Sequence, residues 1–189
     1  EKAPNFGVEV EGYSFNYETA AQHRDKIVSR LRKGIGQLLK ANDIELIRGE
    51  ASFADPHTLS ISGEDGEREV DAERIIVATG SRAAPLPFLE TDGEVVLDSS
   101  HAIGLTELPE SVIIVGGGYI GCEFAGVFSS FGVDVTVVEM MDQILPWLDP
   151  DGAREAAKRL KKRGAKIHTS TEIEAAAVGD DSVTLDLGD

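Results

Sequence analysis

One run of ten residues, Val112–Gly121, constrains the fold of this chain more than any other feature. It reads V-I-I-V-G-G-G-Y-I-G, four apolar residues followed by G-x-G-x-x-G. The apolar residues predict a buried strand, and the glycines predict a tight turn that leads into a helix. Backbone N–H groups at such a helix start have no partner within the helix, so they can bind an anion. The run therefore predicts a site for the pyrophosphate of a dinucleotide.

The residues that follow the glycine turn agree with this prediction. Gly132 predicts the end of the helix, and residues 133–138 predict a second buried strand. Glu139 closes that strand, 18 positions after Gly121. A dinucleotide-binding unit carries an acidic residue about 20 positions on, where it accepts hydrogen bonds from the adenosine ribose. A carboxylate that only caps a sheet edge is the alternative, but the agreement of all these features in order favours dinucleotide binding.

The charge of the same region predicts which nicotinamide cofactor binds. A 2′-phosphate needs a cation, usually arginine, just beyond the second strand. No lysine or arginine occurs between Val133 and Ala153, and Glu139 and Asp142 would repel a phosphate. We therefore expect NAD rather than NADP.

Composition excludes several other classes of function. The formal net charge of −16 argues against nucleic acid and against an anionic membrane as a partner. No apolar run is long enough to span a bilayer and no signal sequence is visible, so we expect a cytoplasmic protein. The single cysteine, Cys122, predicts no internal disulfide. The four histidines have no ligand spacing, so no metal site is predicted.

Periodicity along the chain predicts an α/β protein. A long amphipathic helix is expected from Tyr17 to Ala41, a short helix capped by Asp98 after the linker, and another helix at about residues 151–163. An apolar strand is expected at residues 75–78, before a linker rich in proline and acid. Shorter β segments are expected at residues 44–47, 51–53, 58–61, 68–70 and 166–169, near Val178, and at 183–185.

Two motifs together resemble the pyridine nucleotide-disulfide oxidoreductases, flavoproteins that bind two dinucleotides. Residues 76–81 (I-V-A-T-G-S) resemble the segment that ends the first part of the family's flavin domain. Residues 116–123 (G-G-G-Y-I-G-C-E), with Glu139, resemble the nicotinamide domain inserted after it. Residues 25–35 and 48–51 are most similar to the dihydrolipoyl dehydrogenase branch. The resemblance covers essentially the whole chain.

The resemblance implies a role for each matching residue. Tyr119 would cover the nicotinamide side of the flavin and swing out when NAD enters, although a packing aromatic is an equal alternative. Glu123 would hydrogen-bond near the nicotinamide amide, or would only be an acid favoured at a helix start. No catalytic residue is assigned. The residues assigned to NAD are Gly116, Gly117, Gly118, Tyr119, Ile120, Gly121, Glu123, Glu139 and Ile173, and those assigned to FAD are Ala51, Thr79, Gly80 and Ser81.

The resemblance also implies a domain plan. We expect a partial FAD-binding domain over residues 1–82, with a helix and a β meander. A linker over residues 83–98 and a truncated Rossmann-type NAD-binding domain over residues 99–189 would follow. The family's first glycine motif and its C-x-x-x-x-C redox pair are absent from this sequence. The later flavin-binding aspartate motif and the interface domain are absent too. We therefore expect an interior segment of a longer enzyme.

The implied activity of that enzyme is electron transfer from dihydrolipoamide, through a disulfide and FAD, to NAD. The resemblance implies a homodimer that can work within a 2-oxo acid dehydrogenase complex. Related enzymes of the mercuric reductase or NADH oxidase type are alternatives within the family. A redox-inactive NAD-binding module is the alternative from another class. The T-G-S segment argues against it, because such a module would not need a segment that contacts a flavin.

Overall fold

The structure is a computed structural model that describes residues 12, 14–64 and 66–188. These residues divide into two compact units. One unit is His23–Arg82, and the other takes in the described residues before His23 and those after Arg82. The domain limits derived from the sequence, 1–82, 83–98 and 99–189, stay a prediction. No helix in the described part of the chain is long and apolar enough to cross a membrane.

The first elements along the chain are a long helix and a small meander. Helix α1 (Tyr17–Ala41) has the predicted limits, yet Ala21 is its one buried residue among those described. Strands β1 (Glu50–Phe53), β2 (Thr58–Gly63) and β3 (Gly66–Asp71) form an antiparallel sheet in the order β1-β2-β3. The predicted meander is therefore confirmed.

Two β segments predicted from the sequence are wrong. Residues 44–47 and 75–78 form no strand. Ile76, for example, is 90% exposed. A strand is stable only when a neighbour accepts and donates its ladder hydrogen bonds. No described residue pairs with either segment, so apolar composition alone does not make them strands.

A three-stranded parallel sheet forms the core of the other unit. It contains β4 (Ser111–Val115), β5 (Asp134–Val138) and β6 (Lys166–His168), with β5 in the centre. Helix α3 (Tyr119–Ser130) connects the first two strands, and α4 (Pro150–Lys162) connects the last two. This arrangement is the α/β plan predicted from the sequence, since parallel neighbours require a crossover connection.

Burial explains why the sheet holds together. Val135 and Val137 of the central strand are fully buried beneath α3 and α4 and pack in one apolar cluster with Ala125, Phe128, Ile144 and Leu160. Ala125, in the second turn of α3, is fully buried. Its size lets the helix lie close to the strand.

The remaining elements are a short helix and a pair of strands. Helix α2 (Ser99–Gly104) precedes β4 and is capped by Asp98, as predicted. Strands β7 (Ile173–Val178) and β8 (Val183–Leu187) form an antiparallel pair near the end of the chain. The register pairs Val115 with Val138, and Val138 with His168, so the carboxyl ends of β4, β5 and β6 lie level. Ligands of open α/β sheets bind at this edge.

Candidate functional site: the glycine turn and its neighbours

The glycine turn begins directly after β4 and requires glycine at two points. Gly116 has φ +99°, a left-handed conformation that side chains disfavour. At Gly121, a Cβ would overlap the carbonyl oxygen of Gly116 and lie 3.2 Å from Ile114 Cγ2. The helix can therefore start this close to the strand only with glycine at the third motif position.

The middle glycine leaves an open space in front of the turn. Gly118 is the N-cap of α3, with φ −67° and ψ −177°, and a Cβ there would meet no atom within 4 Å. No described residue accepts a hydrogen bond from the N–H of Gly118 or of Tyr119. These donors carry the positive end of the helix dipole, so the turn presents a site suited to an anion.

Glu139 lies at the carboxyl end of β5 and is 6% exposed. Its Oε2 accepts a hydrogen bond from the N–H of Gly117 at 2.7 Å, and its Oε1 accepts one from Met141 at 2.8 Å. A carboxylate offers about four lone-pair sites, so acceptor capacity remains for a ribose hydroxyl. The acid predicted to bind ribose is thus also bonded to the glycine turn itself.

The other residues assigned to NAD lie around the same sheet edge. Tyr119, 72% exposed, Ile120 and Glu123 lie in the first turns of α3, with exposed side chains. Ile173 begins β7, two residues after Thr171, whose N–H donates to the carbonyl of Glu139 at 3.1 Å. The structure therefore brings the NAD set to one edge, while the role of each side chain stays a prediction.

The residues assigned to FAD are not assembled in this way. Ala51 lies exposed in β1, opposite Ile61, and Thr79, Gly80 and Ser81 lie exposed in a segment without secondary structure. Gly80 has φ +77°, and a Cβ there would meet no atom within 4 Å. No hydrogen bond between described residues joins the two segments. They can supply an edge to a flavin, but they form no cradle by themselves.

Cys122 lies half-buried one turn into α3, and its Sγ donates to the carbonyl of Gly117 at 3.3 Å. Burial, and then the nearby Glu139 carboxylate, raise the pKa of this thiol. A raised thiol pKa means less thiolate and lower reactivity. Among the described residues, no group of three or more His, Cys, Asp or Glu side chains is placed to hold a metal ion.

A sequence profile of the pyridine nucleotide-disulphide oxidoreductase family matches residues 3–189. The chain belongs to this family. The resemblance and the α/β fold expected from the sequence are therefore confirmed.

The relatives of this chain are longer proteins. Dihydrolipoyl dehydrogenase of Bacillus subtilis is 39% identical over 173 residues, 90% of this chain and 38% of that protein. The crystal structure of LpdA from Mycobacterium tuberculosis matches with a TM-score of 0.86 and 25% identity, over 98% of this chain and 41% of LpdA. The HOCl-induced flavoprotein disulfide reductase RclA from Escherichia coli matches with a TM-score of 0.80 and 31% identity, over 91% and 39%. The chain spans about two fifths of these relatives.

Sequence patterns missed part of the site of this family member. Ile144 and Leu145 contact the glycine turn from the loop after β5. Ser170, after β6, donates its N–H to the carbonyl of Met141 at 2.7 Å. Only the apolar pair I-L was visible in the sequence, and it does not indicate a backbone contact with a glycine 28 positions earlier.

Proposed function

We propose that this chain contributes the NAD-binding site of a flavin-dependent oxidoreductase. The observation that carries the proposal is the glycine turn at the carboxyl edge of the sheet, where the N–H groups of Gly118 and Tyr119 have no acceptor among the described residues. The open space at Gly118 fits a pyrophosphate that approaches the backbone closely. Glu139, next to the turn, is placed to accept a bond from the adenosine ribose.

The sequence between Val133 and Ala153 has no lysine or arginine, which supports NAD rather than NADP. Met140 and Asp142 follow Glu139, and neither can pair with a 2′-phosphate. The carboxylates of Glu139 and Asp142 would repel a 2′-phosphate, and this repulsion is stronger where solvent is partly excluded. We therefore expect the site to discriminate against the extra phosphate.

For the whole protein, we propose electron transfer from dihydrolipoamide, through a redox disulfide and FAD, to NAD. Two thiols of dihydrolipoamide become a disulfide, NAD⁺ takes up a hydride, and one proton is released. FAD, when bound, passes the two electrons between the disulfide and NAD. This chain's part is to bind and orient NAD, since its one cysteine cannot form a dithiol. The similarity to dihydrolipoyl dehydrogenases supports this choice.

The proposed setting of the enzyme follows the same similarity. We propose a homodimer that can work within a 2-oxo acid dehydrogenase complex, in the cytoplasm. The RclA likeness favours a second candidate, a flavoprotein disulfide reductase with another electron donor. Absorbance of the purified full-length protein near 450 nm, and NAD reduction that depends on dihydrolipoamide, would support the first candidate. A flavin-containing protein inactive with dihydrolipoamide would favour the second, and a colourless protein would remove both.

The NAD site is tested by Gly118→Ala in the full-length protein. A methyl group at this position meets no protein atom, so the free energy of unfolding should change by less than about 1 kcal/mol. The same methyl group would occupy the space proposed for the pyrophosphate. We expect the Kd for NADH to rise by about 10-fold or more. Fluorescence titration with NADH measures the effect, and a parallel titration with NADPH should give weaker binding to the wild-type protein.

Gly34→Ala is the matched control. Gly34 lies inside α1, and a Cβ there also meets no atom within 4 Å. Alanine in a helix interior stabilises by roughly 0.5–1 kcal/mol relative to glycine. NADH affinity should stay unchanged. Equal NADH affinity for the Gly118→Ala variant and the wild type would refute the proposed site.

A further inference from the structure

The loop after β5 holds Gly117, the second residue of the glycine turn, from three directions. The N–H of Gly117 donates to Glu139 Oε2 at 2.7 Å. Its carbonyl accepts the N–H of Leu145, also at 2.7 Å. Its Cα faces Ile144, since a Cβ on Gly117 would lie 2.7 Å from Ile144 Cγ2. Ile144 is itself 1% exposed, so its side chain is held by core packing.

The backbone conformation of Leu145 is unfavourable. Its φ is +52°, in the left-handed region, where a bulky side chain crowds its own backbone. The other described non-glycine residues with positive φ are Asp43 and Ser170, and Ser170 also lies at the carboxyl edge of the parallel sheet. Such conformations persist where surrounding contacts impose them, and they concentrate at functional sites. At Leu145 the backbone N–H bonds Gly117 and the carbonyl accepts the N–H of Leu148.

Fixing the Gly117 carbonyl also fixes the next donor along the chain. The peptide group between Gly117 and Gly118 is planar and trans, so its C=O and N–H point in opposite directions. With the carbonyl bonded to Leu145, the N–H of Gly118 must point away from that loop. That N–H has no acceptor among the described residues, and it belongs to the open face of the turn.

We propose that Leu145 is a positioning residue for NAD binding, which acts through its backbone N–H on the Gly117–Gly118 peptide. The proposal rests on the proposed NAD site. Leu145 touches no cofactor in this role. Its N–H fixes the direction of the Gly118 N–H, from which the pyrophosphate would accept a hydrogen bond.

The test replaces the N–H of Leu145 by an ester oxygen in the full-length protein. Incorporation of the α-hydroxy acid analogue of leucine at position 145 removes the donor and keeps the side chain. We expect the Kd for NADH and the KM for NAD to rise about 3- to 10-fold, the effect of losing one neutral hydrogen bond, with kcat retained.

Leu148 provides a control with the same chemistry. Its N–H donates to the carbonyl of Leu145 at 2.8 Å, in the same loop but away from the turn. The same ester at position 148 should lower the melting temperature about as much as the ester at 145, without changing the Kd.

The outcomes separate this proposal from the proposed function. A wild-type protein that binds no NADH overturns both. A wild-type protein that binds NADH, with equal Kd values for the esters at 145 and 148, overturns only the role of Leu145. A raised Kd for the 145 ester alone supports the positioning role.

Discussion

Replacing Glu139 by glutamine tests how the site is held together. Glu139 is 6% exposed, and its carboxylate accepts the N–H groups of Gly117 and Met141. Hydrogen bonds to charged groups contribute roughly 1.5–3 kcal/mol each, so the two bonds together stabilise the fold by at most about 6 kcal/mol. Glutamine keeps one acceptor oxygen but presents an NH₂ group to the other N–H. We therefore expect Glu139→Gln to lower the free energy of unfolding by about 2–3 kcal/mol.

Alanine at the same position should have a larger effect. Glu139→Ala leaves both N–H groups without an acceptor and also opens a small cavity next to Ile144. A buried unsatisfied donor costs about 1–3 kcal/mol, so we expect a loss of about 3–5 kcal/mol. The free energies come from urea unfolding of the full-length variants, with NADH titration under conditions where each variant is folded. NADH affinity should fall in both variants, because the glycine turn and the proposed ribose contact both change.

Glu123→Gln is the matched control for Glu139→Gln. Glu123 lies exposed on α3, near the same turn, and no hydrogen bond is formed by its carboxylate with a described residue. Its substitution should change the free energy of unfolding by less than about 0.5 kcal/mol. A Glu139→Gln variant as stable as this control would contradict the role of Glu139 in holding the turn.

Two further predictions concern titrating groups. Burial and the Glu139 carboxylate raise the pKa of the Cys122 thiol, so alkylation of Cys122 at pH 8 should be slower than that of an exposed thiol. Alkylation, followed by mass spectrometry, should be faster in the Glu139→Gln variant than in the wild type. Equal rates in the variant and the wild type would exclude the effect of Glu139. The N–H groups of His101 and Ser100 lower the pKa of Asp98 below its ordinary 3.8, so Asp98 stabilises the fold above that pH and loses this effect as pH falls through the lowered pKa. The difference in melting temperature between wild type and Asp98→Asn should therefore shrink from pH 6 to pH 3, and a constant difference would contradict it.

Local rules explain what was predicted correctly. The limits of α1, the cap of α2 by Asp98 and the end of α3 before Gly132 follow from short-range chemistry. Helix periodicity, a carboxylate that accepts N–H bonds, and a glycine with φ +86° are properties of neighbouring residues. For the same reason, the order of strand, turn, helix and strand around residues 111–138 could be predicted from the sequence.

Long-range pairing explains what was predicted wrongly. Residues 44–47 and 75–78 have the apolar, β-branched composition of strands, yet they form none. Strand formation depends on a partner elsewhere in the chain, and composition carries no information about that partner. The exposed apolar face of α1, which includes Leu31 and Leu38, has the same cause, since helix periodicity predicts a face but not what covers it.

The sequence by itself determined the motif and its family: glycines at positions 116, 118 and 121, Glu139 after the second strand, and no cation nearby. These features follow from residue size, charge and spacing. Only the tertiary structure decided that Glu139 also bonds the N–H of Gly117, and that Leu145, with φ +52°, bonds the carbonyl of Gly117. Both contacts join residues more than 20 positions apart, and they exist because the parallel register brings the ends of β4 and β5 level.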